Sequence, residues 1–440
     1  MQKPTREQGR YNQPDRSPDA GFSTIPIRIT PLLTRGLSHK KMQKRWVTQK
    51  HDHEAAKTFA ARVGVSPLAA ALLIARGFDT DEKAGKFLNP SLDDLHEPFL
   101  LKGMREAVDR IQTAIENHEK ILIWGDYDVD GTTGTTLLRK VIQILGGEST
   151  YHIPNRFTEG YGVNIPALEK ARASGVTLAI TVDCGIRSFE PLEWARDNGL
   201  DFIITDHHLS DEVRGNPPAF AVVNPNQIGC EYPDKHLAGV GVAFKLAHAL
   251  LREKGRESLM PGFLKIAAIG TVADIMKLTG ENRAIVSLGL RDLPTTKNYG
   301  LKALMEVADC RSDMTSTHIG FRIAPRINAA GRMDAAMQVV ELFETEEFDA
   351  ARKIAGILDA RNRERQKVQQ QITELALFET KDLFDQRFVV VAGEGWHRGV
   401  IGLAASRIAE KLHRPTIVFS IENGIAHGSA RSIGNFHLLA

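Results

Sequence analysis

The chain has 440 residues, of which 42% are hydrophobic and 25% are charged, a composition typical of a globular protein with two or three domains. It contains no apolar run long enough to cross a bilayer and no apolar core of the kind that marks a secretory signal. The three cysteines, Cys184, Cys230 and Cys310, lie far apart, which argues against a disulfide framework or a structural zinc site and leads us to expect a cytoplasmic protein.

Charge is distributed unevenly along the chain. Residues 1–50 contain 11 Lys and Arg against 3 Asp and Glu, a balance of +8, so the remainder carries −6 within the net charge of +2. Residues 1–45 are predicted to be a disordered basic tail, for which a solvated leader, an electrostatic arm for nucleic acid and a targeting segment stay open as alternatives. Because the remainder is not basic, nucleic acid would have to bind through a local basic groove and bound metal.

Helical signals follow the tail, and strands then alternate with helices. A helical lead-in is predicted over residues 46–110, beginning near His53 with Gly77 as a stop. Strands are predicted at residues 120–125, 149–154, 177–183, 201–206 and 219–225. Helices are predicted at residues 135–146, 165–175 and 191–199, and across most of 239–310. This alternation is typical of a parallel sheet covered by helices, so residues 111–340 are predicted to form one catalytic α/β domain.

A long polar stretch separates this domain from a second one. Residues 341–380 contain few helix breakers and few apolar positions, which predicts a connecting helix. Alternation returns over residues 381–440, with strands at 387–393 and 415–420, a helix at 399–412, and a strand turning into a helix from 428 onward. The predicted fold class is therefore α/β, with a parallel-sheet domain joined by a long helix to a smaller α/β domain.

Three aspartates follow the first predicted strand, in the segment GDYDVDG. Asp126, Asp128 and Asp130 occupy alternate positions, which point to the same side of an extended chain. Carboxylates brought together in this way repel one another unless a cation neutralises them. A calcium-binding loop counted from Asp126 would require glutamate at its twelfth position, where Leu137 stands. Thr132 is a candidate cap for the helix that follows, and an exposed acidic turn stays open as the alternative to a metal site.

Two further predicted strands also end in carboxylates. Asp183 ends one of them, and Asp206 ends the next and is followed by His207 and His208. Ligands of open α/β sheets gather at the carboxyl ends of the strands, so we expect these side chains to meet the first three aspartates. Oxygen and imidazole donors suit Mn²⁺ or Mg²⁺. Two such ions close together are a common device for cleaving phosphodiesters.

These motifs, in this order and spacing, resemble the DHH phosphoesterase family, and in particular its single-strand-specific DNA exonucleases. The segments that carry the resemblance are GDYDVDG, TVDCG, TDHH, LAGVGVAFKL, GTVADIMKL, NAAGRMDAA, GEGWHRGVIGLAASRI and GSARS. The resemblance covers roughly residues 46–440 and makes 381–440 a DHH-associated, substrate-binding domain that we expect to be incomplete. Members of this family usually continue into an OB-like domain, which we expect to be missing after Ala440, and processive cleavage would depend on it.

The resemblance implies a role for each matching residue. The ligands of two Mn²⁺ or Mg²⁺ ions would be Asp126, Asp128, Asp130, Asp183, His207 and Asp274, with Asp183 as the bridge. Asp206 would orient a histidine, and His208 would contact the scissile phosphate or transfer a proton. The DNA would meet Arg156, Arg326, Ser429 and Arg431. A buried, hydrogen-bonded aspartate at 274 and plain ion pairs for the arginines stay open, and Trp396 fits either a base-stacking or a core position.

The activity that the resemblance implies is 5′→3′ hydrolysis of single-stranded DNA to mononucleotides during recombination and repair. It implies single-stranded DNA as the substrate, and a helicase and a single-strand DNA-binding protein as partners. Three alternatives stay open: another DHH phosphoesterase acting on small nucleotides or pyrophosphate, a catalytically inactive scaffold that keeps the fold, and an inactive fragment of a true exonuclease. Intact acidic motifs favour an enzyme over a scaffold.

Overall fold

The computed structural model of the chain describes residues 50–333, 336–380, 387–434, 436 and 438. The predicted tail, 1–45, lies outside these residues. The lead-in contains α1 (His53–Val63), α2 (Pro67–Ala75) and α3 (Asp81–Leu88). The single long helix that the sequence suggested near His53 is broken where Gly64 ends α1 in a left-handed conformation and Ser66 caps α2. These three helices share a small core of their own that includes Phe59 and Leu73.

Five parallel strands form the main sheet, which confirms the predicted α/β fold. They are β1 (Lys120–Gly125), β2 (Ser149–His152), β3 (Val176–Val182), β4 (Asp201–Thr205) and β5 (Ala221–Val223), in the order β2-β1-β3-β4-β5. The helices that accompany them are α4 (Met104–Glu116), α5 (Val129–Ile144), α6 (Ile165–Ala173) and α7 (Phe189–Asp197). The chain moves outward from β1 to β2 and then returns to the other side of β1 at β3. Such a reversal opens a crevice at the carboxyl ends of the two strands.

A layer of helices packs beside α5 and completes this half of the molecule. These helices are α8 (Gly239–Glu253), α9 (Leu264–Ala273), α10 (Gly280–Asp292), α11 (Tyr299–Val307), α12 (Ser316–His318), α13 (Ala324–Arg332) and α14 (Met337–Glu344). The helix α8 is buried along most of its length. Its Lys245 forms a fully buried ion pair with Glu281 at 2.8 Å and donates to the carbonyl of His96, which ties the lead-in to this layer.

The helix α15 (Phe348–Glu379) joins this body to a smaller α/β unit, as predicted. Its 32 residues span about 48 Å at the usual rise of an α-helix. The smaller unit contains β6 (Val389–Glu394), α16 (Arg398–Leu412), β7 (Thr416–Glu422) and β8 (Ile425–Arg431), with β6 and β7 parallel and β8 antiparallel. The helix predicted after this last strand falls partly outside the described residues, and residues 432–434, 436 and 438, which are described, are not helical. Within them, no single helix is long and apolar enough to span a membrane, although α1 and α2, bent by 103°, pass that test as a pair.

Candidate active site

The segment after β1 turns into a helix earlier than the sequence suggested. The helix α5 begins at Val129, six residues before the predicted start, with Asp128 as its N-cap; the Asp128 carboxylate accepts from Gly131 N at 3.0 Å. Thr132 is therefore not the cap; it lies in the first turn and donates to the carbonyl of Asp128 at 2.6 Å. The expectation of three alternating carboxylates on one extended strand was wrong, because the chain coils after the second of them.

Asp130 nevertheless reaches the same crevice from the first turn of α5. Its two carboxylate oxygens accept from Gly239 N at 2.7 Å and from Val240 N at 2.8 Å. These donors are free amides at the N-terminus of α8, where the helix dipole favours a negative charge. The first residues of α8, which belong to the segment LAGVGVAFKL, thus hold the Asp130 carboxylate in place through their backbone amides.

Asp183 lies directly after β3 in a strained conformation. Its φ is 63°, in the left-handed region that aspartate tolerates better than most residues. A Cβ at Gly239 would stand 2.5 Å from the Asp183 Cβ, so only glycine allows α8 to approach this closely. Asp183 Oδ1 has no hydrogen-bond partner among the described residues, although His207 Nε2 is 3.1 Å away. A buried carboxylate oxygen with no partner is costly, and a cation would satisfy it.

Asp206, at the end of β4, is fully occupied by hydrogen bonds. Its Oδ2 accepts from Ile186 N at 3.0 Å, and its Oδ1 accepts from the backbone of His207 and His208 and lies 2.7 Å from the His208 ring Nδ1. Burial alone would raise the pKa of Asp206, but these bonds, led by the one from His208, hold it below its ordinary value. The same bond raises the pKa of His208. Asp206 thus contacts the ring of His208, not that of His207.

His207 stands between the carboxylates. Its Nε2 lies 3.1 Å from Asp183, 3.6 Å from Asp274 and 3.9 Å from Asp130. Burial, and then the neighbouring His208, lower the pKa of His207 to about 4, so the ring is neutral at physiological pH and able to act as a ligand. Among the described residues, Asp274 at the end of α9 is the only one from the helical layer that belongs to a group of side chains close enough to share an ion.

Three overlapping sets of side chains in the described part of the chain could each hold an ion. They are Asp126, Asp128 and Asp183; Asp130, His207 and Asp274; and Asp183, His207 and His208. Every sequence-predicted metal ligand appears in one of these sets. His208, which the resemblance assigned to catalysis, also belongs to one.

The crowded carboxylates resist ionisation. Burial and then the charge of Asp128 raise the pKa of Asp126 to about 7. Burial and neighbouring carboxylates also raise the pKa of Asp274, to about 6, and those of Asp130 and Asp183 well above the usual range. Such shifts show that the fold gathers more negative charge than its own cations neutralise. The donor set, with buried unpaired oxygens on Asp126 and Asp183, fits Mn²⁺ or Mg²⁺.

A cavity of about 300 Å³ opens above these side chains. Its walls are Asp126, Tyr127, Asp128, Arg156, Tyr161, Asp183, His208, Asp274, Asn328, Gly331 and Arg332. Arg156 stacks over the ring of Tyr127 at 4.6 Å. Burial and then the charge of Arg156 lower the pKa of Arg332 to about 10, which still leaves it cationic at neutral pH. The cavity therefore has a floor of carboxyl groups and a wall that holds two arginines.

Arg332 is a residue that sequence reasoning did not single out, although it lies in the segment NAAGRMDAA. It follows Gly331, where a Cβ would stand 2.3 Å from the carbonyl of Tyr127, so the glycine lets α13 approach the site. Arg332 also donates to the carbonyl of Gly399 in the smaller unit at 3.0 Å. Tyr161, whose hydroxyl donates to the carbonyl of Asp183 at 3.3 Å, was likewise not singled out.

The remaining predicted substrate contacts divide into two groups. Arg431 and Ser429 lie together on β8, with 3.2 Å between Arg431 Nη1 and Ser429 Oγ, and the charge of Arg431 makes a small contribution to lowering the pKa of Arg332. Arg326 does not reach the cavity: it pairs with Asp359 at 2.9 Å and donates to two backbone carbonyls. These contacts of the Arg326 guanidinium link α13 to α15. Trp396 is buried in the core of the smaller unit.

Two domain families match the chain, and several curated relatives are single-stranded-DNA-specific exonucleases. "DHH family, N-terminal domain" matches residues 120–271, and "DHHA1 domain" matches residues 385–440. The single-stranded-DNA-specific exonuclease RecJ of Salmonella typhimurium is 36% identical over 88% of this chain and 69% of its own length. The chain belongs to the RecJ family. RecJ of Bacillus subtilis is 44% identical over 90% of this chain, and this chain spans about half of that protein, 50% of its length.

A solved RecJ structure shares the fold described above. The Thermus thermophilus RecJ in complex with Mn²⁺ superposes with a TM-score of 0.74 at 32% identity, over 87% of this chain and 54% of that one. The superposition covers most of this chain and therefore supports a shared overall fold. The motifs predicted this family, and the comparisons confirm that prediction.

Ile275, which follows Asp274, has a strained backbone conformation, and relief of this strain should change the stability of the protein measurably. Its φ is 58° and its side chain is 89% exposed, so a β-branched residue occupies a left-handed position without gaining burial. We expect Ile275→Gly to raise the free energy of unfolding by up to about 1 kcal/mol. Urea denaturation would measure this change in the free energy of unfolding. His413→Gly is the comparator, because His413 also has a left-handed conformation, with a φ of 50° after α16. A less stable Ile275→Gly protein would show that the strain is absent.

Proposed function

We propose that this chain is a metal-dependent exonuclease that hydrolyses single-stranded DNA from the 5′ end and releases mononucleotides. The observation that carries the proposal is the cavity whose floor is a set of carboxylates with raised pKa values and whose wall holds Arg156 and Arg332. The relatives named above support it, because they are single-stranded-DNA-specific exonucleases and one of them is a complex with Mn²⁺.

Two Mn²⁺ or Mg²⁺ ions are the cofactors that the site would take. One would be held by Asp126, Asp128 and Asp183, and the other by Asp130, His207 and Asp274, with Asp183 adjacent to both sets. When bound, such ions lower the pKa of a coordinated water and neutralise the charge that develops at phosphorus. The neutral ring of His207 needs no proton loss to act as a ligand.

His208 would transfer the proton of the reaction, and Asp206 would orient the His208 ring. Asp206 stays ionised and accepts from His208 Nδ1, so the ring is oriented with Nε2 as its other functional atom. The His208 side chain is 47% exposed and lines the cavity. With its pKa raised, His208 would donate a hydrogen bond to a phosphate oxygen or a proton to the leaving oxygen.

The wall with the two arginines would select the strand end. Arg156 and Arg332 would bind a terminal 5′-phosphate, and Ser429 and Arg431 would contact it from the smaller unit, because guanidinium groups match phosphate oxygens in geometry and charge. Arg326 is left out of this set because of its ion pair. A strand entering between the two units would then present its first phosphodiester to the metal ligands. The 5′ direction rests on the family resemblance and on this placement.

The domain roles belong to the same proposal. We assign catalysis to residues 111–340, connection to 341–380 and substrate binding to 381–440, ranges that contain the two family matches. On the family resemblance alone, we also propose a cytoplasmic location, with a helicase and a single-strand DNA-binding protein as partners in recombination and repair.

We expect the purified chain to release mononucleotides from single strands only when Mn²⁺ or Mg²⁺ is present. A 5′-labelled single strand should yield labelled mononucleotide as its first product, whereas the same strand labelled at its 3′ end should yield a ladder of shortening fragments. A matched duplex and an EDTA sample should stay intact. Labelled mononucleotide released first from the 3′ end, or cleavage in EDTA, would reject the proposal.

A further inference from the structure

The backbone of the dipeptide His207–His208 is held on both sides by neighbouring side chains. Asp206 Oδ1 accepts from the two N–H groups, at 2.7 and 3.1 Å. On the other side, Asn226 Nδ2 donates to the carbonyl of His207 at 2.7 Å, and Asn224 Nδ2 donates to the carbonyl of His208 at 2.9 Å. All four backbone polar groups of the dipeptide are thus bound by side chains.

The two asparagines act as one unit in the loop after β5. The Oδ1 of Asn224 accepts from Asn226 N at 2.7 Å, so the Asn224 side chain also fixes the backbone of Asn226. Asn224 is fully buried, and its amide can satisfy its donors and acceptor only within the protein. Asn226 Nδ2 has a second, longer bond, to the carbonyl of Lys235 at 3.3 Å.

This loop is itself firmly anchored. Gln227 Nε2 donates to the carbonyls of Val222, at 2.6 Å, and Lys102, at 3.1 Å. Lys235 Nζ donates to the carbonyl of Pro225 at 2.7 Å. A fixed loop holding short, charge-neutral amide side chains can position the histidines without adding negative charge beside carboxylates that already repel one another.

We propose that Asn226 and Asn224 are positioning residues, which set the rings of His207 and His208 relative to the aspartates. The inference deepens the proposed function and rests on its metal site. His207 Nε2 is within 4 Å of three carboxylates, so a small movement of its backbone changes every distance to a shared ion. Asn226 contacts that backbone directly, and its loss would act chiefly on metal affinity.

The test compares Asn226→Ala with Asn216→Ala in the full chain. Asn216 Nδ2 donates to Gln227 Oε1 at 3.0 Å, which makes it a loop-stabilising asparagine whose described bonds do not reach either histidine. After EDTA treatment, calorimetric titration with Mn²⁺ should show affinity weakened by about 10- to 100-fold in Asn226→Ala and unchanged in Asn216→Ala. Asn226→Gln keeps an amide donor and should lose less affinity than Asn226→Ala.

Cleavage of single-stranded DNA separates this inference from the proposed function. The Asn226→Ala protein should need more Mn²⁺ for half-maximal rate and regain much of its rate at saturating Mn²⁺. Unchanged Mn²⁺ affinity in Asn226→Ala, or an equal loss in Asn216→Ala, would overturn the inference. A wild-type chain that binds Mn²⁺ without cleaving DNA would reject the proposed function and leave the affinity comparison valid. A wild-type chain that does not bind Mn²⁺ would overturn both.

Discussion

Asp183→Asn should abolish DNA cleavage and, in the metal-free protein, increase stability. Asp183 is adjacent to both proposed metal sets, so its loss should lower the cleavage rate at least about 1,000-fold. The same carboxylate is buried, has an unpaired oxygen and a raised pKa, so the metal-free fold is penalised for holding its charge. Asparagine removes the charge and tolerates the left-handed backbone. We expect a gain on the order of 1 kcal/mol or more at neutral pH.

A loss of cleavage together with a gain of stability is the pattern expected of a carboxylate that serves function and not the fold. Urea denaturation in EDTA and cleavage in Mn²⁺ would be measured on the same preparation. The matched control is Asp309→Asn, which makes the same substitution at a φ of 50° on a side chain that is 81% exposed, and should change neither quantity appreciably. A metal-free Asp183→Asn protein less stable than the wild type would mean that Asp183 supports the fold, and retained cleavage would remove it from the site.

The sequence predicted the fold and the place of the site because both depend on short-range signals. Strand lengths, helix periodicity and turn residues were enough for the parallel sheet and for α15, and the carboxyl ends of the strands then located Asp183 and Asp206. The strand order, by contrast, depends on long-range pairing. It places β1 and β3 side by side, and this is what brings Asp126 and Asp183 into one cavity.

What the sequence could not predict depended on tertiary contacts. The early start of α5 has two causes. Asp128 caps the N–H of Gly131, and Asp130 accepts from Gly239 N at the N-terminus of α8, 109 residues further along the chain. Arg332 and Asn226 have no local signature as functional residues, since their proposed roles depend on the residues that lie opposite them in the fold. Arg326 shows the converse, because a motif arginine is taken up by an ion pair with Asp359.

The metal-free protein should lose stability as the pH rises, and Mn²⁺ should reverse this trend. Folding raises the pKa of Asp274 to about 6 and that of Asp126 to about 7, above an ordinary value near 4. The folded state therefore binds more protons, so this stabilisation is complete below about pH 4 and is lost as the pH passes through the folded values. The raised pKa of His208 acts in the same direction.

His207 has the opposite effect on stability at lower pH. This limits the pH range in which the loss of stability with rising pH can be observed. Its folded pKa of about 4 lies below the ordinary value, so its contribution is lost as the pH falls below about 6.5. The decline should therefore be concentrated between about pH 6 and about pH 8, and should amount to roughly 1 to 3 kcal/mol.

Urea denaturation across this range, in EDTA and in Mn²⁺, would measure both trends. Metal binding requires deprotonated ligands, so the stabilisation by Mn²⁺ should grow with pH, reaching about 2.7 kcal/mol for each site at a hundredfold excess over the dissociation constant. Asp183→Asn should flatten the metal-free curve and abolish most of the response to Mn²⁺, because it removes one of the repelling charges and a ligand together. A metal-free protein whose stability rises from about pH 6 to about pH 8 would mean that nearby cations neutralise the carboxylates, and the case for a metal site would then lose its electrostatic basis.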